Sequence, residues 1–264
     1  MTLAFNMSLI AYFGALLVAV IALLRQRGAL SNAAAFLLGV GALSHTVYMT
    51  LRWIEAGRAP FSDMFESLVL FGWAVAVFYL VLRFRMVRIP ALDAATALLV
   101  LLVLAYASTY ESKIHPLVPA LQSNWLTVHV STSFLGYGGF AVSFLAAVGY
   151  LVSSRDGSRV RGDVLDALES ITAKTVSFGF LFLTVGIITG AVWANSAWGT
   201  YWSWDPKETW SLITWFIYAA FLHCRFMRGW RGKRSAWISV IGFASVVFTY
   251  VGVNYLMSGL HSYA

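Results

Sequence analysis

The feature that most limits what this chain can fold into is a run of eight apolar stretches, each about long enough to cross a bilayer. They fall at roughly 7–24, 33–53, 65–82, 91–109, 126–152, 173–194, 209–227 and 236–257. A helix needs about 20 residues to span a hydrocarbon core of about 30 Å. Only helices and closed barrels satisfy their backbone polar groups in lipid. A barrel would show alternating segments of about ten residues, and the chain has none. The expected fold is therefore all-α: a polytopic integral membrane helical bundle with about eight transmembrane helices. Only 11% of the 264 residues are charged, and no stretch is left over for a soluble domain, so 1–264 reads as a single transmembrane domain. The first apolar stretch has neither a basic leader nor a clear small-residue cleavage site, so no cleavable signal peptide is expected.

The net charge of +7 invites a nucleic-acid reading, but its distribution argues against one. Fourteen of the eighteen basic residues fall in alternate connections: after stretch 1 (Arg25, Arg27), after 3 (Arg83, Arg85, Arg88), between 5 and 6 (Arg155, Arg159, Arg161, Lys174) and between 7 and 8 (Arg225, Arg228, Arg231, Lys233, Arg234). Lysine and arginine concentrate on the cytoplasmic side of membrane proteins. The basic surplus thus orients the chain, with both termini outside. The loops at about 54–64, 110–125 and 194–210 then also face outward. The mixed-charge connection at 154–172 reads as a solvated cytoplasmic loop whose second half suits a short helix. The one cysteine, Cys224, makes no intramolecular disulfide and reads as a small buried apolar residue.

The third outer loop holds the most unusual composition. It reads WGTYWSWDPKETW over 198–210, and six of the eleven tryptophans crowd into 193–215. Asp205, Pro206 and Glu208 have a plain explanation. Asp at an N-cap, Pro at the first helical position and Glu three residues after the cap form a capping-box pattern that starts the seventh helix. The tryptophans are not covered by it. An interfacial aromatic belt places such residues at helix ends, yet six exceed what a belt needs. Indole rings supply wide, rigid contact area, so Trp198, Trp202, Trp204 and Trp210 suit a large planar ligand.

Five histidines remain to be sorted. His129 starts the fifth helix at its outer end and His261 lies beyond the eighth, so both share the face of the tryptophan loop. Neutral imidazole ligates haem iron, which takes one or two axial ligands from protein. Two histidines over a tryptophan shelf would suit haem, although each alone also fits a surface residue. His223 lies within the seventh helix near its cytoplasmic end. Ionisable residues in spans are costly and mark functional sites. His45, near the middle of the second helix, is either its partner or a packing residue, and His115 reads as a loop residue.

The stretch WGTYWSWDPKETWSLITW resembles the WWD signature of haem-handling proteins of cytochrome c biogenesis, and WDPKETW in particular is similar to the CcsA (ResC) family of System II. WIEAGRAPFSDMFESLVLFGW (53–73), PLVPALQSNWLTVHVSTSFLGY (116–137) and MSGLHSYA (257–264) resemble segments of the same family in the same order. The resemblance runs from about residue 40 to the end. It implies delivery of haem (haem b) to the outer face and its presentation to apocytochrome c at a CxxCH motif. There the two thiols add across the vinyl groups. It implies a CcsB (ResB)-type membrane partner and thiol-reducing proteins upstream. His129 and His261 match the external haem-iron ligands. His223 matches a transmembrane ligand whose counterpart lies in the partner. Asp205 belongs to the signature with the tryptophans. Lys207, Arg58 and Arg52 are available as partners for the propionates. The implied membrane is the bacterial inner membrane, with a thylakoid membrane as the other setting. Two other readings stay open on the sequence: a di-haem membrane electron-transfer cytochrome, and a haem exporter without attachment activity.

Overall fold

Every one of the apolar stretches is helical. The structure is a computed structural model and describes residues 1–85, 88–155 and 162–259. Among these residues there is no strand, and the chain divides into two compact units, 1–115 and 116–264.

The first unit contains α1 (Thr2–Arg25), α2 (Gly28–Ala56), α3 (Met64–Arg85) and α4 (Pro90–Ala107). Helix α1 packs on α2 and α4, and α3 packs on α4 and α2. Two ionic networks fasten the two ends of α3. At its start, the fully buried Glu66 carboxylate receives Arg52 at 2.9 Å and Arg58 at 2.8 Å. Arg52 also donates to the Ser112 carbonyl and lies over the Phe65 ring. At its end, Arg83 pairs with Asp93 of α4 at 3.0 Å. Tyr79 and Ser31 donate to the same carboxylate at 2.6 and 2.7 Å. A carboxylate in a span is tolerated only when it is paired and its remaining lone pairs are filled, and Asp93 meets both conditions. His45 is fully buried on α2, with Nδ1 3.3 Å from the Tyr12 hydroxyl of α1.

The second unit begins with a single 3-10 turn (Pro119–Leu121). It continues with α5 (Asn124–Ser153), α6 (Gly162–Trp198), α7 (Pro206–Phe226) and α8 (Lys233–Val247). A π turn at Phe248–Gly252 and a last helical turn at Val253–Leu256 extend α8. Helices α5 and α6 form the most extensive pair, and α8 packs on both α5 and α7. Among the described residues, seven helices are long and apolar enough to cross a membrane, with Lys233–Leu256 counting as one through its π turn. Helix α7 has the length, at 21 residues, but carries Lys207, Glu208 and Arg225 near its ends. The chain is a multi-pass integral membrane protein.

Helix α6 runs further than hydrophobicity alone indicates. The helical second half of the 154–172 connection is not a separate element but the first turns of α6, which reaches 37 residues. At its other end α6 continues through Trp198. It stops where Gly199 adopts φ 78°, with its N–H bonded to the Asn195 carbonyl at 3.0 Å. Glycine takes this left-handed conformation without a Cβ penalty, which makes it the usual helix terminator.

Candidate functional site

The candidate site is built at the end of the second unit where α5 starts, α6 ends and α7 starts. Its first component is His129, in the second turn of α5. On that face of α5, His129, Ser133, Gly136 and Phe140 recur at helical spacing and meet small positions of α6. A Cβ on Gly186 would fall 2.5 Å from the Ser133 hydroxyl. One on Gly190 would fall 2.6 Å from His129 Nδ1. The absence of side chains lets the imidazole lie against the α6 backbone, where Nδ1 is 2.7 Å from the Gly186 carbonyl oxygen. A carbonyl only accepts, so Nδ1 carries the proton. In the neutral ring the lone pair then sits on Nε2, the tautomer that metal-ligating histidines adopt when a carbonyl orients them.

Trp193 forms the wall behind this histidine. The two rings are nearly parallel, 12° apart with centroids separated by 6.1 Å. Trp193 is 2% exposed, and its indole N–H donates to the Ala120 carbonyl at 3.0 Å. Trp198 meets it edge-on at 4.8 Å. Trp193 counted among the clustered tryptophans, but its contact with His129 could not be read from the sequence. The available signal was the α6 spacing: Gly186, Gly190 and Trp193 share one helix face.

The tryptophans come from three consecutive segments of the chain. Trp193 and Trp198 are helical, and the irregular stretch between α6 and α7 is only 199–205. Trp202 and Trp204 lie in it and meet at right angles, 5.8 Å apart. Trp210 is in α7 and packs on Phe248 of the π turn at 4.2 Å. Trp215 donates its N–H to Thr184 and packs on Phe180, which makes it part of the helix packing. Trp204 is the exposed one, at 69%, and its backbone sits at φ 60°.

The start of α7 is the expected capping box. Asp205 Oδ1 accepts the Lys207 N–H at 2.9 Å, and Glu208 Oε2 accepts the Asp205 N–H at 3.1 Å. Asp205 and Glu208 are both buried. Burial pushes the Lys207 ammonium down to about 8, with the Asp205 carboxylate pulling the other way. Lys207 precedes the apolar stretch of its helix. The tail reaches the same place: Gly259 packs so closely on Asp205 that a Cβ would collide with Oδ2.

His223 lies away from this end, in the last turn of α7, and is exposed. It continues the exposed stripe of Ile213, Phe216 and Ala220 on that helix. His261 lies outside the described residues, two positions beyond Gly259. Arg52 and Arg58, weighed as propionate partners, are already engaged by Glu66, with Arg58 also donating to Ser62 at 2.8 Å. His115 is an exposed loop residue 3.7 Å from Glu111. Cys224 is a half-buried free thiol. Among the described residues, no cluster of three or more His, Cys, Asp or Glu side chains forms a metal site. A single histidine against an aromatic wall suits a metal already carried in a macrocycle better than a bare ion.

The fold and this site define a class: a multi-pass helical membrane protein that sets an oriented histidine among tryptophans at one end of a helical unit. Comparison with known proteins narrows the class. The sequence profile of the family described as Cytochrome C assembly protein matches residues 61–261, and the chain belongs to that family. A cytochrome c biogenesis protein CcsA of Guillardia theta is 39% identical over 243 residues, covering 83% of this chain and 81% of that one. Those of Synechococcus sp. (strain CC9605) and Gloeobacter violaceus are 39% and 38% identical, each covering 86% of this chain. Among solved structures, the cytochrome c heme lyase CcmF superposes with a TM-score of 0.71 at 20% identity, covering 98% of this chain and 46% of that one. At that identity the likeness establishes the shared fold. The chain's role lies in cytochrome c maturation.

Proposed function

We propose that this chain holds haem at the tryptophan-bearing end of its second unit and presents it there to apocytochrome c for covalent attachment. The observation that carries the reading is the His129 imidazole. The Gly186 carbonyl fixes its tautomer, and Trp193 lies parallel behind it. Haem is the cargo. His129 supplies one axial ligand through Nε2, and His261 on the C-terminal segment supplies the other. Trp202, Trp204 and Trp198 offer faces and edges to the macrocycle, with Trp210 holding the start of α7 against the π turn. Asp205 joins that start to the tail through its contact with Gly259.

In the attachment step, each cysteine thiol of a CxxCH motif adds across one haem vinyl group. A carbon–sulfur bond forms at one vinyl carbon, the proton ends on the other, and no electrons are gained or lost. The histidine of the same motif replaces one protein ligand on iron. The protein contributes ligation, orientation and exclusion of competing reactions. His223 serves as a ligand where haem is first received, near the cytoplasmic end of α7. Its exposure supports a counterpart outside this chain, on a CcsB-type membrane subunit. Thiol-reducing proteins keep the CxxCH cysteines reduced, and the setting is a bacterial cytoplasmic membrane with the tryptophan loop outside.

The test compares the chain purified with its partner subunit as wild type, His129→Ala, His261→Ala and His223→Ala. Bound haem is read by absorption, and attachment is scored on a reporter apocytochrome c in the same cells. Loss or distortion of the haem spectrum together with loss of attachment in His129→Ala and His261→Ala, partly restored by added imidazole, supports the reading. Unchanged spectra and reporter in both variants would overturn it. That result would leave an exporter without attachment activity as the better account.

A further inference from the structure

We propose that Glu208 is a positioning residue of this site: acting through the loop backbone, it locks Trp204 in a left-handed conformation that turns the indole outward as a contact surface for the planar macrocycle. The inference rests on the function proposed above.

Among the described residues, two non-glycine residues have positive φ. Gln26 is the C-cap of α1, an ordinary place for that conformation. Trp204 is different. It precedes a helix N-cap and bears a bulky side chain, and a left-handed residue of this kind is strained. Such strain persists only where the surroundings over-determine it.

Glu208 supplies the constraint. Its Oε2 accepts from the Ser203 N–H at 2.8 Å, the Ser203 hydroxyl at 3.2 Å and the Asp205 N–H at 3.1 Å. A capping box needs only the bond to the Asp205 N–H. The bond to the Ser203 N–H lies outside that motif and closes a ring around Trp204, whose two neighbours in the chain both donate their N–H to one carboxylate oxygen. The Thr209 hydroxyl donates to the Trp204 carbonyl at 3.3 Å and adds a further tie. The carboxylate that does this is buried, at 9% exposure, whereas the indole it fixes is 69% exposed and braced edge-on by Trp202. A fold that spends a buried carboxylate to hold a large aromatic ring away from the rest of the chain gains little packing within the chain from that ring. The gain comes when a flat apolar partner covers it.

The experiment uses the chain purified with its partner subunit and compares Glu208→Gln, Glu208→Ala, Trp204→Ala and the double variant Glu208→Ala/Trp204→Ala. The readouts are haem occupancy and spectrum, attachment to a reporter apocytochrome c, and hydrogen exchange at the Ser203 and Asp205 amides. A carboxamide oxygen accepts the same donors, so Glu208→Gln retains slow exchange and haem occupancy. Glu208→Ala speeds exchange at both amides and lowers occupancy by about tenfold, the size expected for one lost aromatic anchor. Trp204→Ala matches that loss, and the double variant is no worse than either single one. If Glu208→Ala does not accumulate, Glu208→Ala/Trp204→Gly removes the strain. The protein then returns with haem occupancy still low. Additive losses in the double variant, or a Glu208→Gln as damaging as Glu208→Ala, would overturn the inference. Either result beside a haem-deficient His129→Ala leaves the proposed function standing, whereas an unaffected His129→Ala removes that function first.

Discussion

His129 and Gly190 cannot both carry a side chain in this fold: a Cβ on Gly190 would lie 2.6 Å from the imidazole Nδ1. The helix pair was therefore built around the histidine. Gly190→Ala should displace the ring and break its bond to the Gly186 carbonyl. Attachment to a reporter cytochrome should fall by about one to two orders of magnitude, the usual consequence of misplacing a reacting group by about 1 Å. Gly39→Ala, which adds its methyl to open space on α2, is the control and should leave attachment unchanged.

The tail contact makes a parallel prediction. Gly259→Ala places a methyl on the Asp205 carboxylate. The chain at Gly259, two positions before His261, must then leave its seat on Asp205. Haem should remain bound through His129 but with an altered spectrum, and attachment should fall. A Gly259→Ala protein with the wild-type haem spectrum would show that the seat is dispensable.

Asp93 should govern stability without touching the chemistry. Asp93→Ala leaves the buried Arg83 guanidinium without its carboxylate, and breaking such a pair costs about 3–5 kcal/mol. Thermal unfolding in detergent should shift sharply downward. The double variant Arg83→Met/Asp93→Leu should recover most of the loss, because an apolar replacement removes both charges.

Lys207 predicts a pH dependence of the same sign as the familiar acid loss, displaced to the alkaline side. Its ordinary value is 10.5 and burial lowers it to about 8. Between those values the unfolded chain holds more protons than the folded one, so stability rises with pH across that window. Below about 8 the cost of the buried ammonium is fully present. Lys207→Met should raise thermal stability at neutral pH and flatten the rise between pH 8 and 10.5. The check is a melting series in detergent across that range.

His45 should prove structural. It contacts Tyr12 within the first unit, and the combined change Tyr12→Phe/His45→Leu replaces both polar partners by apolar ones, which is often nearly neutral. Haem attachment should be unchanged. Lost attachment with normal protein levels would make His45 a functional residue.

Local chemistry was legible in the sequence. The helices followed from apolar length, and the start of α7 from Asp205, Pro206 and Glu208 at capping-box spacing. The ends of α6 were not, because hydropathy reports the apolar part of a helix and α6 continues beyond it on both sides. The contacts of His129 were hidden for a different reason. Gly186 and Trp193 are 57 and 64 residues away in the chain, and their approach depends on how closely two helices pack. The conformation of Trp204 was also unreadable, because no local preference favours it; a carboxylate four residues later imposes it. The tryptophan cluster showed that a site existed. Which ring is wall, which is brace and which is exposed surface depended on tertiary packing.

The side-chain-free positions on α6 have one more consequence. With Gly179, Gly186 and Gly190 pressed against Phe140, Ser133 and His129, α5 and α6 cannot slide past one another without steric collision. They move as one stiff plank, and His129 is a fixture on it. On the function proposed above, a hand-over of cargo that opens one iron bond and forms another cannot draw its motion from that plank. The axial position at His129 would then be the anchored one, and the incoming protein would displace the ligand opposite it.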